Sequence, residues 1–199
     1  GELLRRHRGP LTAARAVELL AKADHRDDIL EVGFAFTRQF FDFCAFFVVQ
    51  EEEAELLDAA PMDDETLKVA RAVVAPLGEP STFALVHEGL VSAVGKLQRS
   101  KVDEQVRDAL GRTDAQPSVL APVMIRQRVV LVLYGDRNGE DFGLEDVPEL
   151  VAFTPKLGEA FQQLILRRKF RGYSQGDART SSVPKAPGAS EVLGKTEGR

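Results

Sequence analysis

Cysteine is almost missing from this chain: Cys44 stands alone among 199 residues. One thiol builds neither a disulfide framework nor a cysteine zinc site, so the expected setting is a reducing compartment, the cytoplasm. Histidine is nearly as scarce. His7, His25 and His87 stand far apart, with no HxH or HxxxH spacing, and no metal centre is expected. No apolar run approaches the roughly 20 residues that span a bilayer, and the polar N-terminus has no apolar stretch after it. Neither a membrane role nor a signal peptide is expected. The chain begins at Gly1 and not at Met, as a piece of a longer protein would. The net charge of −5 favours no nucleic-acid partner. The two short basic runs, "LRRHR" and "LRRKF", read as a solvated terminus and a solvated helix. There is no internal repeat.

The motifs that invite a chemical reading fail on spacing. "GLVSAVGKL" has five residues between Gly89 and Gly95, and Leu97 after Lys96. A P-loop has four between its glycines and a hydroxyl after the lysine, to cradle phosphate and hold magnesium. "DRNGEDFGLEDV" begins like an EF-hand loop, with Asp136, Asn138 and Glu140. Its sixth and twelfth places hold Asp141 and Val147, where calcium binding needs glycine and a bidentate glutamate. That stretch reads as a solvated turn from Asp136 to Asp141. Thr82, Ser92 and Ser118 have no nucleophile elbow and no partner histidine at a recognisable spacing. The acidic runs Glu51–Glu53 and Asp63–Glu65 read as solvated charge. Cys44, flanked by Phe43 and Ala45, reads as a buried small apolar residue. No cofactor and no enzyme activity are expected.

Phenylalanine is what the chain has in quantity. Seven of its twelve fall between residues 34 and 47. They predict a core between a helix over Asp24–Phe41 and a strand over Phe43–Val49, buried on both faces. Before that helix, Leu11–Ala23 has helical spacing at Leu11, Ala14, Val17, Leu19 and Leu20, with Thr12 as its cap. In the second helix Asp24, Asp27 and Asp28 fall in the first turn, and Ile29, Val32, Phe36 and Phe40 form the stripe. Glu51–Ala60 reads as an exposed edge strand or hairpin arm. Val69–Gly78 reads as a strand ended by Pro76 and Gly78. Pro80–Gly89 reads as a short helix, Leu90–Val94 as a short strand, and Val102–Arg112 as a helix. Ser118–Gln127 and Arg128–Gly135 form a hairpin turning near Gln127. A long helix over Leu144–Lys169 closes the fold, with Pro155 predicted to kink it. Residues 1–10 read as a flexible segment, 11–170 as one domain, and 171–199 as a disordered tail or linker, too polar to offset ordering entropy.

The hairpin and closing helix, "SVLAPVMIRQRVVLVLYGDRNGEDFGLEDVPELVAFTPKLGEAFQQLI", resemble the C-terminal half of a GAF domain. Where the family has Phe-Ser-x-x-Asp, this chain has Phe142, Gly143, Leu144, Glu145 and Asp146. The resemblance covers about Thr12 to Lys169, and PAS domains are the nearest confusable relatives. It implies an α+β fold: a mostly antiparallel sheet of five to six strands, terminal helices on one face and short middle helices on the other. It implies a bacterial-type signalling or regulatory module that is rarely an enzyme. The cyclic-nucleotide signature, Asn-Lys…Phe…Asp-Glu, is absent. Bilin-binding relatives attach pigment through a cysteine, often followed by histidine, and here Ala45 follows Cys44. Haem would need an axial ligand, and His87 is the only histidine in the middle region.

Two readings follow from the resemblance. The favoured one is protein–protein association, with homodimerisation through the terminal helices at Leu19, Leu157, Phe161 and Leu164. The alternative is a sensory domain with a small-molecule pocket under the middle helices, lined by Phe46, Val48, Phe83, His87 and Val123.

Overall fold

Thr12 turns an extended backbone into the first helix by accepting the amide of Arg15 at 3.2 Å. The computed structural model describes residues 10–113 and 117–176. Helix α1 (Ala13–Ala21) is followed by α2 (Arg26–Thr37), whose Asp28 carboxylate reaches back to the amide of His25 at 3.1 Å. The cap is therefore His25, and Asp24 lies before it. Strands β1 (Phe43–Gln50) and β2 (Glu53–Ala60) form a hairpin. Helix α3 (Asp64–Ala70) and strand β3 (Val74–Pro76) come next, then α4 (Thr82–Gly89), β4 (Ala93–Lys96) and α5 (Lys101–Ala109). Strands β5 (Pro117–Ile125) and β6 (Arg128–Asp136) pair as the expected hairpin, and a 3-10 turn (Leu144–Asp146) leads into α6 (Pro148–Gly176). None of the described helices is long and apolar enough to cross a membrane.

The six strands lie in the order β3-β2-β1-β6-β5-β4, and every pairing is antiparallel. Period-two alternation divides the side chains between two apolar layers. On one face, Phe46, Val119, Ala121, Val123, Leu131 and Leu133 pack under α1, α2 and α6. On the other, Phe43, Phe47, Leu120, Val132 and Tyr134 pack under the middle helices with Phe83, Val102 and Val106. This is the α+β arrangement that the sequence predicts. The chain divides into two units after Ile165, and both apolar layers belong to the first. Of the second unit, residues 166–176 are described, as the last turns of α6.

Three local expectations are corrected. Val69–Gly78 is not one strand: α3 takes its start, and only Val74–Pro76 pairs, with β2. Asp63 caps α3 by accepting the amides of Glu65 and Thr66, and Leu67 and Ala70 bury one helical face. Of the two readings of Glu51–Ala60, the hairpin arm holds, since Glu53–Ala60 pairs with β1, and the edge strand does not, since β3 flanks its other side. The helical backbone of α6 reaches Gly176, inside the segment read from sequence as a tail. The rest of that tail, 177–199, and residues 1–9 of the N-terminal segment lie outside the described residues.

Two interruptions of register shape the surface. Between Phe46 and Phe47 the β1–β2 pairing jumps from Asp58 to Leu56, leaving Leu57 as an extra residue in β2. Between Val123 and Met124 the β5–β6 pairing jumps from Leu131 to Val129. Such bulges bend a strand and re-aim the groups beside them.

Candidate functional site

The residues read as pocket candidates divide between the two faces. Phe46, Val48 and Val123 belong to the layer under the terminal helices. Phe83 is buried in the other layer, and His87 is half-buried near the end of α4. The sheet separates them, so the five residues do not line one chamber. Among the dimer candidates, Leu19, Leu157 and Leu164 are buried within the chain itself, and Phe161 is half-buried against the same layer. A partner cannot reach the first three. On α1 the exposed large apolar residue is Val17, at 39%.

Two concavities lie on the terminal-helix side. The first is a cleft of about 410 Å³ between α2, β1, the Leu57 bulge of β2 and the end of α3. Its floor is the pair Phe34 and Phe46, edge to face at 4.9 Å. Leu30 and Leu57 extend the apolar wall, and Glu31, Arg38, Asp58 and Arg71 bring charge of both signs. Arg71 follows α3 and is held in place: its Nε donates to the carbonyl of Leu57 at 2.8 Å. The second concavity is a groove of about 500 Å³ between α1 and α6. Ala13, Ala14, Val17, Ala152 and Phe153 line it, with Glu149 and Lys156 as its charged members.

The buried polar groups are tied to one another and not aimed into either concavity. Asp136, expected to turn in solvent, is fully buried at the end of β6. It takes a bidentate contact from Arg112, the Tyr134 hydroxyl at 3.0 Å and the amide of Asn138 at 3.0 Å. Burial pushes the Tyr134 hydroxyl above its ordinary range and the Asp136 charge adds to this, so the phenol remains a donor. On α5, Asp103 accepts the amide of Thr82 at 2.9 Å and its hydroxyl at 2.9 Å, which ties it to the start of α4. Burial raises the Asp103 carboxyl, and the bonds from Thr82 oppose the shift.

The loop that resembles a calcium site does structural work instead. Phe142 packs on Phe41 at 5.6 Å, with the Arg137 guanidinium 5.2 Å from its ring. The carboxylate of Asp146 accepts the amide of Gly143 at 2.8 Å. Among the described residues no group of three or more His, Cys, Asp or Glu is placed to hold a metal.

Cys44 is buried, and desolvation pushes its thiol up to about 12; Arg38 opposes the shift, while Asp58 and Asp136 add to it. At pH 8 such a thiol is about one part in 10⁴ thiolate. An aromatic disulfide reagent is expected to label native Cys44 more than about 100-fold more slowly than the urea-unfolded chain. Similar rates in the two states would show that the thiol is open to solvent.

No family model matches the chain, and no curated protein matches it. Solved structures do. A GAF domain/HD domain protein from Geobacter sulfurreducens superposes with a TM-score of 0.59 at 10% identity, covering 74% of this chain and 98% of that one. The GAF domain of a two-component sensor histidine kinase from Bacillus halodurans has a TM-score of 0.54 at 19% identity, with 73% and 99% covered. Free methionine-R-sulfoxide reductase from Neisseria meningitidis, solved with its substrate, has a TM-score of 0.58 at 13% identity, with 78% and 89% covered. One architecture thus serves a sensor kinase and a reductase, and identities this low establish architecture alone. The antiparallel six-stranded sheet, with terminal helices on one face and middle helices on the other, gives this chain a GAF-like fold.

Proposed function

We propose that this chain is a non-catalytic regulatory module of the GAF type that works by self-association through the face shared by α1 and α6. The apolar groove at Val17 carries this reading: three alanines and Phe153 lie beside a valine that is 39% exposed. Small residues at such a face let a second helix approach closely.

Charge supports a second copy as the occupant. Glu149 and Lys156 stand two turns apart on α6, and Ala152 and Phe153 lie midway between them. A two-fold axis at that midpoint sets Glu149 of each copy against Lys156 of the other, as an isologous interface requires. The groove is then closed by its own image. The lone thiol is buried and un-ionised, which favours a regulatory role over thiol chemistry.

Light scattering at micromolar concentration tests the reading and is expected to give a dimer. Lys156 also bridges to Glu159 on its own helix at 3.0 Å, and Lys156→Glu, which replaces the two inter-copy pairs with two like-charge pairs at ~0.5–1 kcal/mol each, raises the dimer Kd by about tenfold or more. Adding Glu149→Lys reverses both charges and restores association. A monomeric parent chain, or a charge-swapped double variant as weak as the single one, overturns it.

A further inference from the structure

We propose that the cleft between α2 and the Leu57 bulge is a ligand site for a small zwitterion with an apolar side group, of the α-amino acid class. The site is separate from the α1–α6 groove and independent of self-association.

The bulge is the first reason. In a regular strand, Leu57 and Asp58 would point to opposite faces. The register jump at Phe46/Phe47 makes Leu57 the extra residue, and both it and Asp58 line the cleft. The same bulge offers the Leu57 carbonyl to Arg71, whose Nη groups have no hydrogen-bond partner among the described residues.

Charge of both signs is the second reason. Arg38 has no side-chain hydrogen bond or ion pair among the described residues, although it shares the cleft with carboxylates. Among the described residues Asp58 accepts only its neighbour's amide, at 2.9 Å from Ala59. Asp27, at the rim, is paired with Arg26. Glu31 also lines the wall but is already engaged, so the charges facing the cleft are Arg38 and Arg71 against Asp58. A lone anion would leave Asp58 unmatched, and a lone cation would leave the guanidiniums unmatched. A ligand with one group of each sign satisfies both: its carboxylate on the arginine pair, its ammonium toward Asp58.

The floor supplies the third reason. Phe34 and Phe46 present an aromatic surface between these charges, flanked by Leu30 and Leu57. A cleft of about 410 Å³ is in the size range of small-molecule sites.

Three probes of one shape separate the charge requirements: L-phenylalanine, 3-phenylpropionate and phenethylamine, titrated into the full chain by calorimetry. L-Phenylalanine is expected to bind with a Kd on the order of 1 mM or below, and each single-charge probe about tenfold or more weaker. Arg38→Ala, at an exposed and unpaired side chain, is expected to weaken L-phenylalanine about tenfold or more while thermal unfolding stays unchanged. Amide shifts at Leu30, Phe34 and Leu57 locate the binding. Absence of L-phenylalanine binding at 10-fold above that Kd overturns the proposal. So does equal binding of 3-phenylpropionate, which would make the cleft an anion site, or binding indifferent to Arg38→Ala.

Discussion

Gly158→Ala is expected to destabilise the chain by about 3 kcal/mol or more, although alanine is the better helix former by about 1 kcal/mol. Gly158 lies on α6 where the helix crosses β5, and a Cβ built there comes within 2.0 Å of the Met124 carbonyl oxygen. That neighbour is backbone, next to the register jump at Val123/Met124, and no rotamer change relieves the overlap. The helix must lift by about 1 Å, and close-packed interiors do not follow such a shift without opening voids. Lifting also pulls Leu157 from α2, where a Cβ on Gly33 would already stand 3.0 Å from Leu157 Cδ2. Two glycines thus seat α6, one against the sheet and one against α2. Thermal unfolding should fall by roughly 6–12 °C, and Glu159→Ala, one exposed residue on, should change stability by less than about 0.5 kcal/mol. A rise in stability from Gly158→Ala would mean that α6 does not rest on β5 at Met124.

The architecture is readable from residues that act locally. Thr12 caps α1 by bonding the amide three residues on, so the signal and its effect share one short segment. Phe43–Val49 is apolar on both faces because helices cover both faces of β1. Helix α3 is hidden for a similar local reason. Val69, Val73 and Val74 are strand formers, and they outweigh the cap at Asp63 and the spacing of Leu67 and Ala70. On α1 the buried stripe is Ala16, Leu19 and Leu20, and Ala23 is buried just beyond its end. Ala14 and Val17 are exposed, so counting them with Leu19 and Leu20 spreads the stripe around the helix and leaves its outward face undefined.

Nothing local announces the cleft. Phe34 and Phe46 are twelve residues apart, Arg71 is fourteen from Leu57, and the bulge that joins them is a property of pairing between strands. Asp136 is legible only by half. Its side of β6 follows from alternation with Val132 and Tyr134, which a period-two reading continues past Gly135. Its partner does not follow, because Arg112 is 24 residues away on the far side of β5.

Arg112→Met should cost about 3–5 kcal/mol, because it leaves the Asp136 carboxylate buried and uncompensated. The loss is wider than one ion pair. The Arg112 Nη2 also donates to the Asn138 side chain at 2.7 Å, and the guanidinium carbon lies 4.6 Å from the centre of the Phe43 ring. The same aspartate receives the Asn138 amide, and its backbone carbonyl receives the amide of Asp42. The ends of α5, β6 and the segment entering β1 therefore converge on one buried group. Methionine keeps the apolar stem but cannot donate, so packing is largely held while charge is lost. Asp136→Asn on its own leaves Arg112 without its anion. Together the two substitutions remove both charges and retain an oxygen for Tyr134 or Asn138. The double variant is then expected to be less destabilised than the two singles summed, by about 1–3 kcal/mol in urea unfolding. A cost below about 1 kcal/mol for Arg112→Met, or strict additivity, would show that water reaches Asp136 and that the pair is not the clamp at this end of the sheet.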